Sequence, residues 1–191
     1  MSIKEEPKLI WTKVRKFPRK TKSFRWLYEG QVLNNTFHGF GILTKIYKDE
    51  ECKKFYAGDW INSKRSGSGQ CWYDNGDYYE GNFLNNKRHG FGRMWYRDGS
   101  FYQGLWENDL HNGTGLLVQS NGNRYEGQFE FDQKHGDGIF YHVKTGQIQK
   151  GYWVNNQCKS SIIQDTHWRQ VTSYSTPYPI PKLDPTINDN Q

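Results

Sequence analysis

Residues 79–100 read YEGNFLNNKRHGFGRMWYRDGS, and this stretch decides the fold. Two rings, Tyr79 and Phe83, bracket a glycine at spacings of two, so all three residues share one face of a strand. A polar turn over residues 85–89 follows, and a second strand begins at Gly90-Phe91-Gly92. An Asp-Gly pair then turns the chain again, because glycine accepts a positive φ at low cost. The stretch therefore predicts one β-hairpin.

The same pattern recurs along most of the chain. A Gly-x-Gly motif follows nine residues after each of the first five Tyr-x-Gly-x-(Trp/Phe) motifs, and a further glycine closes four of the units. All twenty glycines belong to these three motifs. The central glycines, including those of degenerate first and last copies, are Gly30, Gly58, Gly81, Gly104, Gly127 and Gly151. The sequence therefore predicts an all-β protein, a single elongated, twisted antiparallel sheet of about six stacked hairpins.

The composition favours strands over helices. The 191 residues include one alanine and twenty glycines, and alanine is the best helix former while glycine is among the worst. Aromatic residues make up 17% of the chain, which is typical of strands and not of disordered segments. A single hairpin is at best marginally stable alone. We therefore expect neighbouring units to stack.

The net charge of +6 is concentrated at the beginning of the chain. Residues 1–25 contain nine Lys/Arg and two Glu, a net +7, so the remaining residues are close to neutral. We expect a basic N-terminal arm over residues 1–25 that either extends into solvent or clamps an acidic protein surface. Its basic residues include Arg15, Lys16, Arg19 and Lys20. The near-neutral repeat body argues against nucleic acid as a partner.

The array is expected to occupy residues 26–163, with its degenerate last unit as a cap. Residues 164–191 have a different character, because four prolines within them predict an extended tail. This tail is either unanchored or lies along another protein. In the second case its anchors would be Trp168, Tyr174, Tyr178 and Ile180.

No set of residues predicts catalysis, a cofactor or a metal site. His38, His89 and His135 recur in register, but equivalent positions in adjacent hairpins lie about 9.6 Å apart, and zinc ligands lie about 2 Å from the metal. The chain has three cysteines at unrelated spacings, which predicts a reducing compartment. Residues 1–25 show no apolar core before a cleavage site, so we expect no secretory signal.

With no catalytic or metal site predicted, the surface of the sheet is the remaining candidate for function. Because a single sheet without covering helices has two faces, we expect some rings to hold the array together and the rest to form a long aromatic groove that binds other proteins. The predicted groove residues are Tyr56, Trp60, Tyr79, Phe83, Tyr102, Trp106, Tyr125, Phe129 and Trp153. A predicted basic edge carries Lys64, Arg65, Lys87, Arg88 and Lys134 in register. Such charges would influence the orientation in which a partner binds more than the strength of its binding.

The repeat resembles that of the MORN-repeat family. Three motifs match it in fixed register, namely Tyr79-Glu80-Gly81, His89-Gly90-Phe91-Gly92 and Asp98-Gly99. The resemblance covers roughly residues 26–157, while residues 1–25 keep no recognisable repeat. It implies a stack of hairpins, in agreement with the pattern of glycines.

The resemblance also implies a function. Short MORN-repeat proteins are similar to components of cilia and flagella, so we expect a non-enzymatic scaffold of an axonemal complex (radial-spoke-like or microtubule-associated) or of a sperm structure. Its location would be the cytoplasm and cytoskeleton. The alternative is peripheral binding to acidic phospholipids, with the basic arm as anchor. An accessory module for an enzyme fits the same sequence, and the oligomeric state stays open.

Overall fold

The computed structural model describes residues 9–16 and 24–166, with residues 14–16 described by their backbone only. These residues form thirteen strands: β1 (Ile10–Lys16), β2 (Phe24–Leu33), β3 (Thr36–Tyr47), β4 (Cys52–Ile61), β5 (Lys64–Trp72), β6 (Tyr78–Leu84), β7 (Lys87–Trp95), β8 (Phe101–Glu107), β9 (Leu110–Val118), β10 (Arg124–Glu130), β11 (Gln133–His142), β12 (Gln147–Val154) and β13 (Gln157–Asp165). The described residues form no helix, and so none that could cross a membrane.

The strands form one sheet in chain order from β1 to β13, and every neighbouring pair is antiparallel. The prediction of an all-β single sheet is thus confirmed. Strands β2 to β13 make six hairpins, from β2/β3 to β12/β13. At about 4.8 Å per strand, the sheet is roughly 58 Å long.

The hairpin turns are tighter than the sequence predicted. The turn after β6 consists of Asn85 (φ 51°) and Asn86 (φ 74°) alone, and Lys87 already pairs with Leu84. Two residues with positive φ close a hairpin whose twist matches that of its strands, and asparagine tolerates this conformation better than most residues. The predicted five-residue turn over 85–89 is therefore wrong, because residues 87–89 belong to β7.

Equivalent glycines form an unbroken row across the sheet. Each of the eleven strands from β2 to β12 contributes one glycine, and each of these glycines pairs in register with the glycine of the neighbouring strand in the row. The row consists of Gly30, Gly41, Gly58, Gly69, Gly81, Gly92, Gly104, Gly115, Gly127, Gly138 and Gly151. The row runs along the long axis of the array, so a ligand bound against it would cross the strands.

The ends of the sheet differ from the predicted boundaries. Part of the predicted basic arm is strand β1, whose Ile10 pairs with Val32 and whose Lys16 pairs with Trp26. At the other end β13 runs to Asp165, beyond the expected limit of the array. Arg19, Lys20 and the tail anchors Trp168, Tyr174, Tyr178 and Ile180 lie outside the described residues.

Candidate functional site

Five tyrosines lie flat over the glycine row on one face of the sheet, which we call the ring face. Tyr79 is fully buried, and its Oη donates to the main-chain oxygen of Asn82 at 2.9 Å. A Cβ added to Gly81 would lie 2.6 Å from that Oη, and one added to Gly92 would lie 2.5 Å from the ring carbon Cζ. The glycines are therefore the space that the ring fills. Tyr28, Tyr56, Tyr102 and Tyr125 repeat the arrangement.

The rings of successive hairpins pack edge to face. The Tyr79 centroid lies 5.1 Å from Phe83 in its own hairpin and 5.5 Å from Trp106 in the next, with interplanar angles of 81° and 88°. This is the favoured arrangement of aromatic pairs, because the positive ring edge meets the negative face. The same contacts recur from Tyr56 to Trp153. The rings thus form a continuous core along the array.

This core corrects the predicted aromatic groove. All nine predicted groove residues, Tyr56, Trp60, Tyr79, Phe83, Tyr102, Trp106, Tyr125, Phe129 and Trp153, are at most 6% exposed. They are unavailable as an open surface because the tyrosine rings lie on the glycine row and the Trp and Phe rings pack against those tyrosines. The expected division, with some rings holding the array and others free, does not apply to this set.

In the four middle hairpins, a covering side chain comes from the same position of the second strand. Arg65, Arg88, His111 and Lys134 pair across their hairpins with Trp60, Phe83, Trp106 and Phe129, respectively. The Arg88 guanidinium lies 4.2 Å from the Trp106 ring centroid, and the Lys134 ammonium 4.6 Å from that of Phe140. Such cation–π contacts gain strength when desolvated, and burial lowers the pKa of Lys134.

The predicted basic edge is therefore two different surfaces. Arg65, Arg88 and Lys134 cover the core, whereas Lys64 and Lys87 are exposed. The division follows from strand geometry, because adjacent residues point to opposite faces. Of the predicted arm residues, Arg15 and Lys16 lie in β1, where the structure describes their backbone only.

Each hairpin turn is bonded to the covering residue of the hairpin before it. The main-chain N–H of Arg88 donates to Oδ1 of Asp109 at 2.9 Å, and the N–H of Asp109 donates to the oxygen of Arg88 at 3.1 Å. The Arg88 side chain adds a bond to the main-chain oxygen of Asp109 at 2.8 Å. Equivalent N–H bonds link Arg65 with Asn86 and Lys134 with Asn156. Successive turns are thus fixed in one register.

His111 is the exception among the covering residues. Its ring stacks on Tyr102 at 3.7 Å, Nδ1 lies 3.0 Å from Oδ1 of Asp132, and Nε2 lies 3.1 Å from the Tyr96 hydroxyl. Burial lowers the pKa of His111 to about 4, although the charge of Asp132 acts in the opposite direction. His111 is therefore neutral at pH 7, with a partner on each ring nitrogen.

We expect the stability of the array to depend on pH through His111. The pKa rises from about 4 in the folded state to about 6.5 in the unfolded chain, so below pH 6.5 the unfolded chain binds a proton that the folded one does not. The contribution of neutral His111 to the free energy of unfolding is fully present above pH 6.5 and is lost as the pH falls toward 4. The loss is about 2 kcal/mol between pH 8 and pH 5. Urea unfolding at both pH values measures the loss.

The control for this prediction is His111→Gln, which keeps a polar side chain and removes the titration. The variant is expected to lose less stability than the wild type over the same pH interval, by about 2 kcal/mol. Equal losses in the two proteins would show that His111 is not the responsible group.

The opposite face, which we call the groove face, is open along the glycine row. Three hollows of about 450–520 Å³ follow one another there. Their floors contain, in turn, Gly58, Gly69 and Gly81, then Gly104, Gly115 and Gly127, and then Gly138 and Gly151. The hollows form one interrupted groove along most of the array. It is the candidate functional site.

Large apolar side chains border this groove and remain exposed. Phe40 is 45% exposed, Phe91 48%, Leu105 40% and Tyr152 46%, and each lines a hollow or, in the case of Leu105, pairs directly with Phe91. Sequence reasoning missed these residues. The signal was present, because they occupy the x positions of the two glycine motifs, which alternate with the buried rings.

Polar groups on the other side of the groove are paired with one another. Arg93 donates to Glu80 Oε1 at 3.1 Å and to Gln103 Oε1 at 3.0 Å. Farther along the strands, a buried cluster of Tyr78, Trp95, Phe101 and Val118 bounds the groove face. The groove thus combines exposed apolar contact points with a paired polar group formed by Glu80, Arg93 and Gln103. This arrangement offers both apolar and polar contacts along the groove.

The residue types that could carry chemistry are dispersed. Within the described ranges, no three His, Cys, Asp or Glu side chains come together as a metal site. Cys71 is buried, and burial raises the pKa of its thiol. His38, His89 and His135 stay in separate hairpins.

Comparison with known proteins agrees with the repeat geometry. The family model of the MORN repeat matches residues 28–45, 56–78, 79–101, 102–124 and 125–144. These matches cover the first five hairpins, whereas the sixth, β12/β13, lies outside them. A search of curated proteins finds no match. Because the matches span more than half of the chain, the protein belongs to the MORN-repeat family.

Proposed function

We propose that this protein is a non-enzymatic scaffold that binds an extended segment of another protein along the groove face. MORN repeats are scaffold repeats that bind proteins or membranes. The observation that carries the proposal is the row of exposed apolar side chains beside the glycine row. Exposed apolar side chains grouped around a groove are typical of sites for protein partners.

The spacing of the exposed apolar side chains indicates what kind of partner segment would fit the groove. Phe40 lies on β3, Phe91 and Leu105 pair on β7 and β8, and Tyr152 lies on β12. Four strand spacings separate one point from the next, about 19 Å. An extended chain advances about 3.3 Å per residue, so apolar residues about six apart would meet successive points. A helix, about 10–12 Å across, is wider than the gap of about 7 Å between alternate residues of a strand.

We further propose that the partner belongs to a ciliary or flagellar axoneme, or to a related sperm structure. The support is resemblance in sequence, since short MORN-repeat proteins are similar to axonemal components. Within the family the chain resembles MORN repeat-containing protein 3, in residues 121–127, in Gly151-Tyr152-Trp153-Val154 and in the tail at residues 178–185. Placement in the cytoskeleton is part of the same proposal.

The groove is tested by comparing two aspartate substitutions. Phe91→Asp changes a residue of the groove, whereas Leu84→Asp changes a side chain with the same 48% exposure that lines none of the three hollows. The wild type and Leu84→Asp are expected to stay with demembranated axonemes at low salt. Phe91→Asp is expected to be released, with at least tenfold less protein bound, since one interface anchor contributes about 2 kcal/mol.

Other outcomes would contradict one part of the proposal or the other. Equal retention of both variants would exclude the groove as the binding surface. Release of the wild type with the soluble proteins would exclude the axonemal partner. Flotation with vesicles of acidic phospholipid at physiological salt would instead support membrane binding. In that case the basic residues of 1–25 would be attracted to the acidic head groups.

A further inference from the structure

The last strand of the sheet has an exposed outer edge. Every residue of β13 is exposed except Cys158, including Ile162 at 69% and Ile163 at 56%. Its inner edge pairs with β12 from Gln157 to Asp165, interrupted by a β-bulge at Lys159, and among residues 9–16 and 24–166 no strand pairs with its outer edge. An open edge is a template for pairing with another strand.

The two ends of the sheet differ in how well they resist such pairing. Strand β1 carries three basic residues in seven, IWTKVRK, and charged residues, lysine above all, discourage pairing at an edge. Strand β13, QCKSSIIQD, carries one basic and one acidic residue in nine and contains no proline. The edge of β13 is therefore the less protected of the two.

The direction of the main-chain groups of β13 follows from its inner pairing. The N–H of Thr166 donates to the oxygen of Gly146 at 3.0 Å, and main-chain groups alternate in direction along a strand. Ile162 and Gln164 therefore direct theirs toward β12. Ser161 and Ile163 direct theirs outward, where they are available to a further strand.

We propose that β13 pairs with β13 of a second copy of this chain, antiparallel and centred on Ile162. In that register Ile162 lies opposite Ile162 of the other copy, and Ser161 lies opposite Ile163. Lys159 then lies opposite Asp165, and the two-fold symmetry makes this pair twice. Opposite charges and β-branched side chains in direct opposition both stabilise an antiparallel pair, and an isologous dimer closes on itself.

The dimer joins the grooves of both copies. Ile162 lines the terminal hollow together with Tyr152 and Lys150, so the groove face continues across the two-fold axis into the second copy. The sheet becomes one of 26 strands, twice the thirteen of one chain. The inference concerns the edge of the sheet and does not depend on what the groove binds.

Charge reversal tests the proposal in the full chain. Lys159 and Asp165 are exposed, and among the described residues their side chains bond to Gln157 and Gln147, respectively, so we expect their substitution to leave the fold intact. Lys159→Asp and Asp165→Lys are each expected to raise the dimer dissociation constant by about tenfold, because two like-charged pairs replace two opposite ones. The double variant restores dimerisation. Sedimentation velocity over a concentration series measures all four proteins.

Cysteine cross-linking tests the register. Ile162→Cys in a Cys52→Ser, Cys158→Ser background is expected to form a disulfide-linked dimer under mild oxidation, because directly opposed residues have Cα atoms about 4.5–5.5 Å apart. Ile163→Cys in the same background is the control, since in this register the two copies of residue 163 lie about 8 Å apart, which is too far for a disulfide.

Three results would overturn the proposal. The first is a wild type that remains monomeric throughout the concentration series. The second is a double charge reversal that fails to restore the dimer. The third is growth into open filaments, which would indicate head-to-tail pairing of β13 with β1 of another copy.

Discussion

Tyr102→Ala is expected to lower the free energy of unfolding by about 4 kcal/mol, within the range measured when a large buried aromatic is truncated. Tyr102 is fully buried at the middle of the array. Its ring contacts Trp106 at 5.1 Å, Phe129 at 5.3 Å and His111 at 3.7 Å, so it joins two hairpins. Guanidinium unfolding followed by tryptophan fluorescence measures the loss.

The matched control is Tyr102→Phe. It keeps the ring and removes only the hydroxyl, which donates to the main-chain oxygen of Leu105 at 2.9 Å. A single neutral hydrogen bond contributes about 1 kcal/mol, so this variant should remain close to the wild type. A loss of 1 kcal/mol or less in Tyr102→Ala would mean that the rings do not hold the hairpins together.

The position of Tyr102 also predicts how the array unfolds. In a repeat protein each unit contacts mainly its neighbours, and stability is approximately a sum of unit and interface terms. Truncation at the centre removes a contact within the hairpin, to Trp106, and a contact across the interface with the next hairpin, to Phe129. We therefore expect the unfolding transition of Tyr102→Ala to be broader than that of the wild type, as cooperativity between the halves decreases.

Much of the fold was predictable because its signals are local. A ring, a glycine and a second ring at spacings of two define one strand face, and identical spacing in successive units places glycine opposite glycine. The row from Gly30 to Gly151 follows from this arithmetic alone. The turns were less predictable, since the sequence around Asn85-Asn86 does not reveal how soon pairing resumes after a polar stretch.

The pattern separates the two faces of the sheet, but it does not show which of them is closed. Burial of Trp106 depends on Tyr79 in the preceding hairpin and on Arg88 above it, and contacts between hairpins leave no mark on the sequence of either. Lys87 and Arg88 also look alike as a basic pair, although the first is exposed and the second covers the core. The exposed Phe91 and Leu105 were overlooked because the motif draws attention to the opposite face.

Gly92→Ala is expected to be almost as destabilising as the loss of a tyrosine, although it adds one carbon. A Cβ at this position would lie 2.5 Å from Cζ of Tyr79 and 2.6 Å from Cε2, closer than nonbonded carbons approach. Tyr79 is fully buried between Phe83 and Trp106 and cannot move aside without displacing both. Overpacking costs up to about 3 kcal/mol, and the lost Tyr79 hydrogen bond adds about 1 kcal/mol.

Gly99→Ala separates this steric effect from the backbone cost of replacing glycine. Gly99 has a positive φ of 87°, and a Cβ there would meet nothing within 4 Å, so the variant carries conformational strain of about 1 kcal/mol without a clash. Gly92 shows no such φ, so its cost is the contact with the ring. Urea unfolding should therefore give a much lower free energy of unfolding for Gly92→Ala than for Gly99→Ala. The reverse order would mean that the glycine row is kept for backbone freedom, and that the rings do not need the space beneath them.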